Sequence, residues 1–273
     1  MSMRRFFQAT PSYIVLITLG LFFLIPLLWP ILASFNPDAT LSLSVPRSPS
    51  LQNFITIISN GTVAQPFTNS LILALSTMVL VVILAGLAAY PLSRYHFRYK
   101  RLLMYSLLFA SALPVLALVT PLYAMYVTLN LVDTLLGCIL FFVASALPFC
   151  IWLMKNFLDT VPYEIEEAAY IDGASTLKSL LYVLLPLAAP GIAVVAVWSF
   201  LGAWTNFFVP LIILQSQNLL PASVTIYSFF GSYGQVNYGQ LAAFAMLYAL
   251  PAVALYTLVS RFFVKGISGG LKG

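Results

Sequence analysis

From residue 179 to residue 260 the chain contains no Asp, Glu, Lys or Arg, and four further charge-free runs cover 6–37, 48–93, 102–132 and 134–154. A run of about 20 apolar residues crosses about 30 Å of hydrocarbon as a helix. Helices and closed barrels are the only spanning forms, because backbone N–H and C=O groups find no water inside a bilayer. A soluble domain carries about 25% charged residues. This chain carries 7%, with 62% hydrophobic residues and a mean hydropathy of +1.00. The composition therefore predicts an all-α integral membrane protein.

The runs resolve into six predicted spanning helices, at about 13–34, 67–91, 102–125, 134–154, 184–212 and 240–262. The polar segment 215–240 divides the longest run, and the fifth helix, which contains Pro186, Pro190 and Pro210, is expected to kink or to follow a separate short segment. Cytoplasmic loops of membrane proteins are enriched in Lys and Arg. Here 11 of the 12 basic residues fall on one set of alternate sides, and only Arg47 falls on the other. That split puts both termini in the cytoplasm and supports an even number of spans. It makes 35–66 and 213–239 external loops and 155–183 a cytoplasmic loop, within one transmembrane domain covering 1–273. The run after Arg4 and Arg5 is too long for a signal-peptide core and shows no cleavage site, so it reads as an uncleaved first helix.

Several functions are disfavoured. Ionisable residues inside a span mark proton relays, ion sites or catalysis. None falls near the middle of a predicted span, which argues against a proton-coupled pump and an Asp-based membrane protease. The single histidine, His96, cannot supply the pair of an H-E-x-x-H zinc protease and reads as a loop residue. Cys138 and Cys150 lie in apolar runs without metal-site spacing and read as small buried residues. No G-x-x-x-x-G-K-[ST] loop is present, so no ATP site is expected on this chain. The net charge of +5 follows the loop pattern and predicts no nucleic-acid partner. The spans instead hold neutral polar and aromatic side chains: Asn69, Ser70, Ser76 and Thr77 in the second, Tyr123 and Tyr126 in the third, Trp204 and Asn206 in the fifth. Amides can bond hydroxyls and aromatic rings can stack on sugar faces, so Asn69, Ser76, Thr77, Tyr123, Trp204 and Asn206 are candidate solute-pathway residues. The same types also mediate helix packing and interfacial anchoring.

The acids are gathered where the spans are not. Of seven acidic residues, Glu164, Glu166, Glu167 and Asp172 lie together in "EIEEAAYIDGAS". Thr160 is placed to cap a helix and Pro162 suits a first turn. Acids near a helix N-terminus complement its dipole, and Gly173 supplies a stop. Ser175 can cap the helix that follows. The loop thus reads as a helix of about ten residues, a turn and a new helix. On it Glu166 and Tyr170 share a face, as do Ile165, Ala168, Ala169 and Asp172. A solvated connector and a docking element both fit this pattern, and the small Ala168–Ala169 patch flanked by carboxylates suits docking.

"EEAAYIDGAS" (166–175), followed by "LLPLAAPGI" (184–192), closely resembles the EAA loop of ABC importer permeases: Glu167, Ala168, Ala169, then Gly173, with Leu185 and Pro186 downstream. "NSLILALSTMVLVVILAGLAAYPLSRYHF" (69–97), "FLGAWTNFFVPLII" (200–213) and "RFFVKGISGGLKG" (261–273) are similar to the carbohydrate branch, of the maltose/oligosaccharide, MalG-like type. The likeness covers nearly the whole chain. It departs at "WTNFF", where that branch often carries a glutamate after the Trp-Asn pair.

The resemblance implies a six-helix type I importer permease in the plasma (inner) membrane of a bacterium or archaeon, surrounded by membrane lipid. The loop would be a coupling helix, with Glu164, Glu166, Glu167, Ala168, Ala169, Asp172 and Gly173 as the residues that engage an ATPase. Partners would be a homologous second permease subunit, two ATPase subunits holding ATP and Mg, and an extracytoplasmic sugar-binding protein reached by the 213–239 loop. The C-terminal tail would lie against the ATPase. This chain would itself be no enzyme and bind no cofactor or metal. The cargo would be a neutral sugar or oligosaccharide. The alternatives are the same machine carrying a polyol phosphate or other small polar solute, and a stand-alone channel or secondary carrier.

Overall fold

The computed structural model describes residues 3–230 and 236–270, with side chains except at 3–12, 14, 115, 116 and 261–270. The described residues are helical, with no strand among them beyond an isolated bridge between Phe230 and Val236. The helices are α1 (Met3–Ser34), α2 (Gln52–Ser59), α3 (Ala64–Arg94), α4 (Lys100–Ser111), α5 (Val115–Thr128), α6 (Leu135–Leu158), α7 (Tyr163–Ile171), α8 (Thr176–Ser179), α9 (Leu185–Leu187), α10 (Ala189–Trp204), α11 (Phe208–Ile213), α12 (Ala222–Thr225) and α13 (Tyr238–Gly270).

Four helices are long and apolar enough to cross a membrane unaided: Val15–Ser34 of α1, α3, α6 and Tyr238–Ser260 of α13. A fifth candidate is broken. Pro186 has no N–H for the Tyr182 carbonyl, and a π-helical turn (Leu180–Leu184) precedes it. The chain then turns by 82° between Thr176–Leu187 and Ala189–Trp204. The kink expected near Pro186 and Pro190 is therefore present. The helix does not continue to 212, however. It stops at Trp204, and Pro210 falls in the first turn of the separate helix α11; the Asn206 carbonyl between them accepts from the Ser223 hydroxyl (2.8 Å). The expected continuous helix at 102–125 is also divided. Pro114 is extended (φ −68°, ψ 119°) and separates α4 from α5, each too short to span alone.

The chain forms two compact units. One comprises residues 1–64 and 225–250. In it, Asn53 of α2 donates to Ser34 O (3.1 Å) and Asn36 O (3.0 Å), satisfying carbonyls at the end of α1. Gly239 sits so close to Asn53 that a Cβ would stand 2.5 Å from its Nδ2. The other unit comprises 65–224 and 251–273. Its centre is α6 packed on α10, where Gly191 permits contact: a Cβ there would lie 2.6 Å from Phe157 Cβ. The buried apolar residues include Met154, Leu158, Leu184, Val195 and Trp204.

At one end of this unit, side chains of α3 and of the turn before α6 hold the segment after α11. Asn69 donates to Asn218 O (2.8 Å) and Leu220 O (3.1 Å), and Ser70 Oγ accepts from Ala222 N (2.9 Å). Asp133 accepts from Gln215 N (2.8 Å), Ser216 N (2.9 Å) and the Ser216 hydroxyl. These donors, the Ser216 hydroxyl foremost, hold the Asp133 carboxyl below its ordinary pKa.

Candidate docking helix and membrane cavity

At the other end of α3 lies the acidic segment. It forms a nine-residue helix, α7, after Pro162, which is extended (ψ 143°) and serves as the N-cap residue. Thr160 does not cap it; its hydroxyl donates back to Phe157 O at the end of α6 (2.7 Å). The C-terminus closes as a Schellman turn. Ala174 N–H bonds Ala169 O (2.9 Å) and Gly173 N–H bonds Tyr170 O (3.0 Å), with Gly173 at φ +84°. Ser175 then caps α8 through Lys178 N (3.5 Å).

The expected shared face of Glu166 and Tyr170 is present; Glu166 points inward, while Tyr170 stays partly exposed and reaches in with its hydroxyl. Glu166 is 4% exposed. Its Oε1 accepts from Tyr90 (2.6 Å) and Tyr170 (2.8 Å), and its Oε2 lies 2.7 Å from Arg94 Nε. Arg94 Nη2 also donates to Val161 O (3.0 Å), and the guanidinium covers the Tyr163 ring at 4.6 Å. Ser93 donates to Asp159 (2.7 Å) and its carbonyl accepts from Tyr163 (3.2 Å). Asp159 is also paired with Lys155. Thus three residues from the last turns of α3, namely Tyr90, Ser93 and Arg94, grip the stretch 159–170.

Of the seven residues expected to engage an ATPase, Glu166 and Ala169 face this interior. Glu164, Glu167, Ala168, Asp172 and Gly173 are exposed, together with Ile171, which is 87% exposed. The alanine pair therefore divides, with only Ala168 offering a small surface outward. Arg94 and Tyr90 were not singled out from sequence. Their signal was weak: Arg94 is the basic residue that ends the charge-free run 48–93.

A cavity of about 230 Å³ opens between the end of α4, α6 and α10. Its lining follows two i, i+4 rows, Phe141, Ser145 and Phe149 on α6, and Trp198 and Gly202 on α10, the latter row continued by Asn206 beyond the helix end. A second cavity of about 460 Å³, toward α5, shares Ser111, Phe141 and Ser145 with it. Phe149 lies 4.7 Å from Trp198, and Trp198 remains 54% exposed. Among the described residues, no Asp, Glu, Lys, Arg or His lines either cavity.

Among the pathway candidates, Asn206 lines this cavity; its Oδ1 also accepts from Val209 N (3.1 Å). Trp204 faces away: it is buried, stacked on Phe200 (5.6 Å) with Phe67 edge-on (6.2 Å). Asn69 is buried against Asn218 and Leu220, Thr77 is buried, and Ser76 is half-buried on α3. Tyr123 accepts from Gln215 Nε2 (3.1 Å). Ser145, Phe149, Trp198 and Ser199 were missed because a helix apolar on all sides gives no sign of which face is open. The proposed contacts of the C-terminal tail fall outside the described side chains.

Comparison with known proteins agrees with this architecture. Residues 81–269 match the family described as binding-protein-dependent transport system inner membrane component. The diacetylchitobiose uptake system permease protein NgcG of Streptomyces coelicolor is 31% identical over 98% of this chain and 89% of its own length. The maltodextrin transport system permease protein MdxG of Bacillus subtilis is 31% identical over 100% and 99%. The trehalose transport system permease protein SugB of Mycobacterium tuberculosis is 32% identical over 92% and 93%. In fold, the chain is similar to one in a bacterial ABC transporter that imports the acidic polysaccharide alginate, at a TM-score of 0.80 and 19% identity, covering 96% of this chain and 99% of that one. The chain belongs to the family of binding-protein-dependent transport system inner membrane components, the multi-pass permease subunits of ABC transporters.

Proposed function

We propose that this chain is the permease subunit of an ATP-driven importer that carries a neutral sugar or oligosaccharide into the cytoplasm. The observation that carries the choice of cargo is the cavity between α4, α6 and α10. It offers four aromatic rings, three serine hydroxyls and one amide, with no charged side chain among the described residues. Aromatic faces and hydrogen-bonding groups suit a hydroxylated, uncharged solute, whereas an anion would need basic partners. Relatives named for maltodextrin, trehalose and diacetylchitobiose uptake support the same class.

The exposed side of α7, with Glu164, Glu167, Ala168, Ile171, Asp172 and the Gly173 turn, is the surface that docks on a cytoplasmic ATPase subunit, where ATP and Mg bind. In this reading α4 and α5 together form the third span and the bent α8–α10 region the fifth. Six spans then put both termini in the cytoplasm, as the distribution of basic residues requires. A homologous permease completes the passage in the plasma membrane, and an extracytoplasmic binding protein delivers the sugar. A solved alginate transporter in complex with a periplasmic protein is similar in fold to this chain, at a TM-score of 0.68, and supports that last partner by analogy.

Affinity purification from native membrane with mass spectrometry tests the assembly. An ATPase, a second permease and a binding protein are expected, and binding assays on that last protein with neutral and anionic saccharides identify the cargo. Specific flux through this chain reconstituted alone would overturn the proposal.

A further inference from the structure

The helix α3 is fastened at both ends to segments that sequence places on opposite sides of the membrane. At its start, Asn69 and Ser70 bind the backbone at Asn218, Leu220 and Ala222. At its end, Tyr90 and Arg94 bind Glu166 of α7. Its 31 residues correspond to about 45 Å at about 1.5 Å per residue. Resting on the reading of α7 as the ATPase dock, we propose that α3 is a transmission rod between α7 and the external segment 215–224, with the Tyr90–Arg94–Glu166 cluster as its inner clasp and Asn69 as its outer one.

Three observations carry this. First, α3 contains Pro91, which leaves the Leu87 carbonyl without its helical donor and makes the final turn the compliant part of the rod. Tyr90 and Arg94 lie on either side of that proline and both reach the same carboxylate, so Glu166 braces the weak turn. Second, a buried ion pair is a poor route to stability, since apolar residues of similar volume do as well or better. What the pair and the Tyr90 phenol add is direction, because the contacts of Arg94 and Tyr90 with Glu166 hold only at one register of α7 against α3, whereas Tyr170 bonds Glu166 from within α7. Third, the carboxylates on α7 divide the work. Glu164 and Glu167 point out, where a partner can reach them, and Glu166 points in, where only α3 can. Glu166 is thus a positioning residue: a shift of α7 is passed to α3 rather than absorbed in the connections around it. Because coupling between sites is reciprocal, an event at the external segment would bias α7 in turn.

The test uses the full complex purified with its ATPase, in lipid nanodiscs. Hydrogen exchange of the 214–224 amides is compared with and without Mg²⁺ and a non-hydrolysable ATP analogue. In the wild type the nucleotide should change exchange there several-fold. Glu166→Gln and Asn69→Ala should lose that response while the ATPase stays bound. Tyr90→Phe, which keeps the ring and the ion pair, should weaken it. An unchanged response in Glu166→Gln overturns the proposal, as does no response in the wild type. Loss of the ATPase from Glu166→Gln also overturns it, because Glu166 would then be part of the dock. If Glu166→Gln does not insert, an undiminished response in Tyr90→Phe is decisive against it. Should the wild-type chain purify with no ATPase at all, the docking reading fails, and this is seen before any variant is made.

Discussion

Glu166 Oε2 lies 2.7 Å from Arg94 Nε, and both side chains are almost wholly withdrawn from solvent, 3% exposed for Arg94 and 6% for Glu166. Removing one partner of such a pair strands the other charge, at a cost of about 3–5 kcal/mol. Arg94→Met or Glu166→Leu alone should therefore lower the thermal midpoint of the detergent-solubilised protein markedly. The double variant should recover most of that loss, since it leaves no buried charge. Fluorescence-detected size exclusion after heating measures all three. Equal losses in the double and the singles would mean that the pair is not coupled.

Gly173 isolates the backbone contribution of the turn. Its φ is +84°, and no atom lies within 4 Å of where a Cβ would stand, so a substitution meets no neighbour and only the left-handed conformation opposes it. For an L-residue that conformation costs roughly 1–2 kcal/mol, less for Asn, and more for a β-branched side chain. Gly173→Val should weaken co-purification of the ATPase and transport together, while Gly173→Asn retains most of both. Transport and ATPase stimulation at wild-type levels in Gly173→Val would remove the turn from the coupling role.

Helix α7 illustrates what local sequence can and cannot convey. Its length, its stop at Gly173, its capped successor and the common face of Glu166 and Tyr170 all follow from spacing within a dozen residues. Which face turns inward depends on Arg94 and Tyr90, far away in the chain, and nothing in the period of α7 encodes that meeting. The divided α4–α5 segment had a local cause that was in view, Pro114, yet apolarity alone favoured one continuous span. In α10, Trp198 and Trp204 lie about 120° apart around the helix at about 3.6 residues per turn. An entirely apolar helix shows no amphipathic contrast to rank those two faces. The outer clasp was beyond reach for another reason: Asn69 binds backbone carbonyls, which carry no side-chain signature.

Asp133 should make the segment after α11 sensitive to strong acid. Its carboxyl accepts from the Ser216 hydroxyl and from two backbone N–H groups, and its pKa lies below the ordinary 3.8. A depressed carboxyl contributes stability that is present above its unfolded pKa and lost as pH falls through the folded value. The contribution is therefore complete at neutral pH and fades only below about pH 4. Asp133→Asn should remove it at every pH. Hydrogen exchange at the Gln215 and Ser216 amides should be faster in Asp133→Asn at neutral pH. Wild-type rates there, corrected for intrinsic exchange, should show no change between pH 5 and pH 8.

Gly191 on α10 tests how closely α6 and α10 must meet. A methyl group there would stand 2.6 Å from Phe157 Cβ and Cγ, so the two helices must separate to admit it. Overpacking of this kind costs about 1–3 kcal/mol. Gly191→Ala should lower thermal stability by that order, and adding Phe157→Ala should relieve the clash though not the lost packing. If Gly191→Ala is as stable as wild type, the approach of α10 to α6 is looser than these distances require.

Trp198 and Trp204 separate passage from packing on a single helix. Trp204 is 1% exposed between Phe200 and Phe67, so Trp204→Ala should cost about 3–5 kcal/mol of stability and reduce the amount of folded protein in the membrane. Trp198 is 54% exposed and borders the cavity beside Phe149, so Trp198→Ala removes little packing. An aromatic stacking contact is worth about 0.5–1.5 kcal/mol, which corresponds to at most roughly a tenfold change in an equilibrium constant. Trp198→Ala should therefore slow uptake of the identified sugar several-fold at normal membrane abundance, and Trp198→Phe should restore part of it. Uptake per folded transporter separates the two cases. It should fall for Trp198→Ala and stay near wild type for whatever Trp204→Ala protein survives. The reverse pattern would move the passage to the Trp204 face of α10.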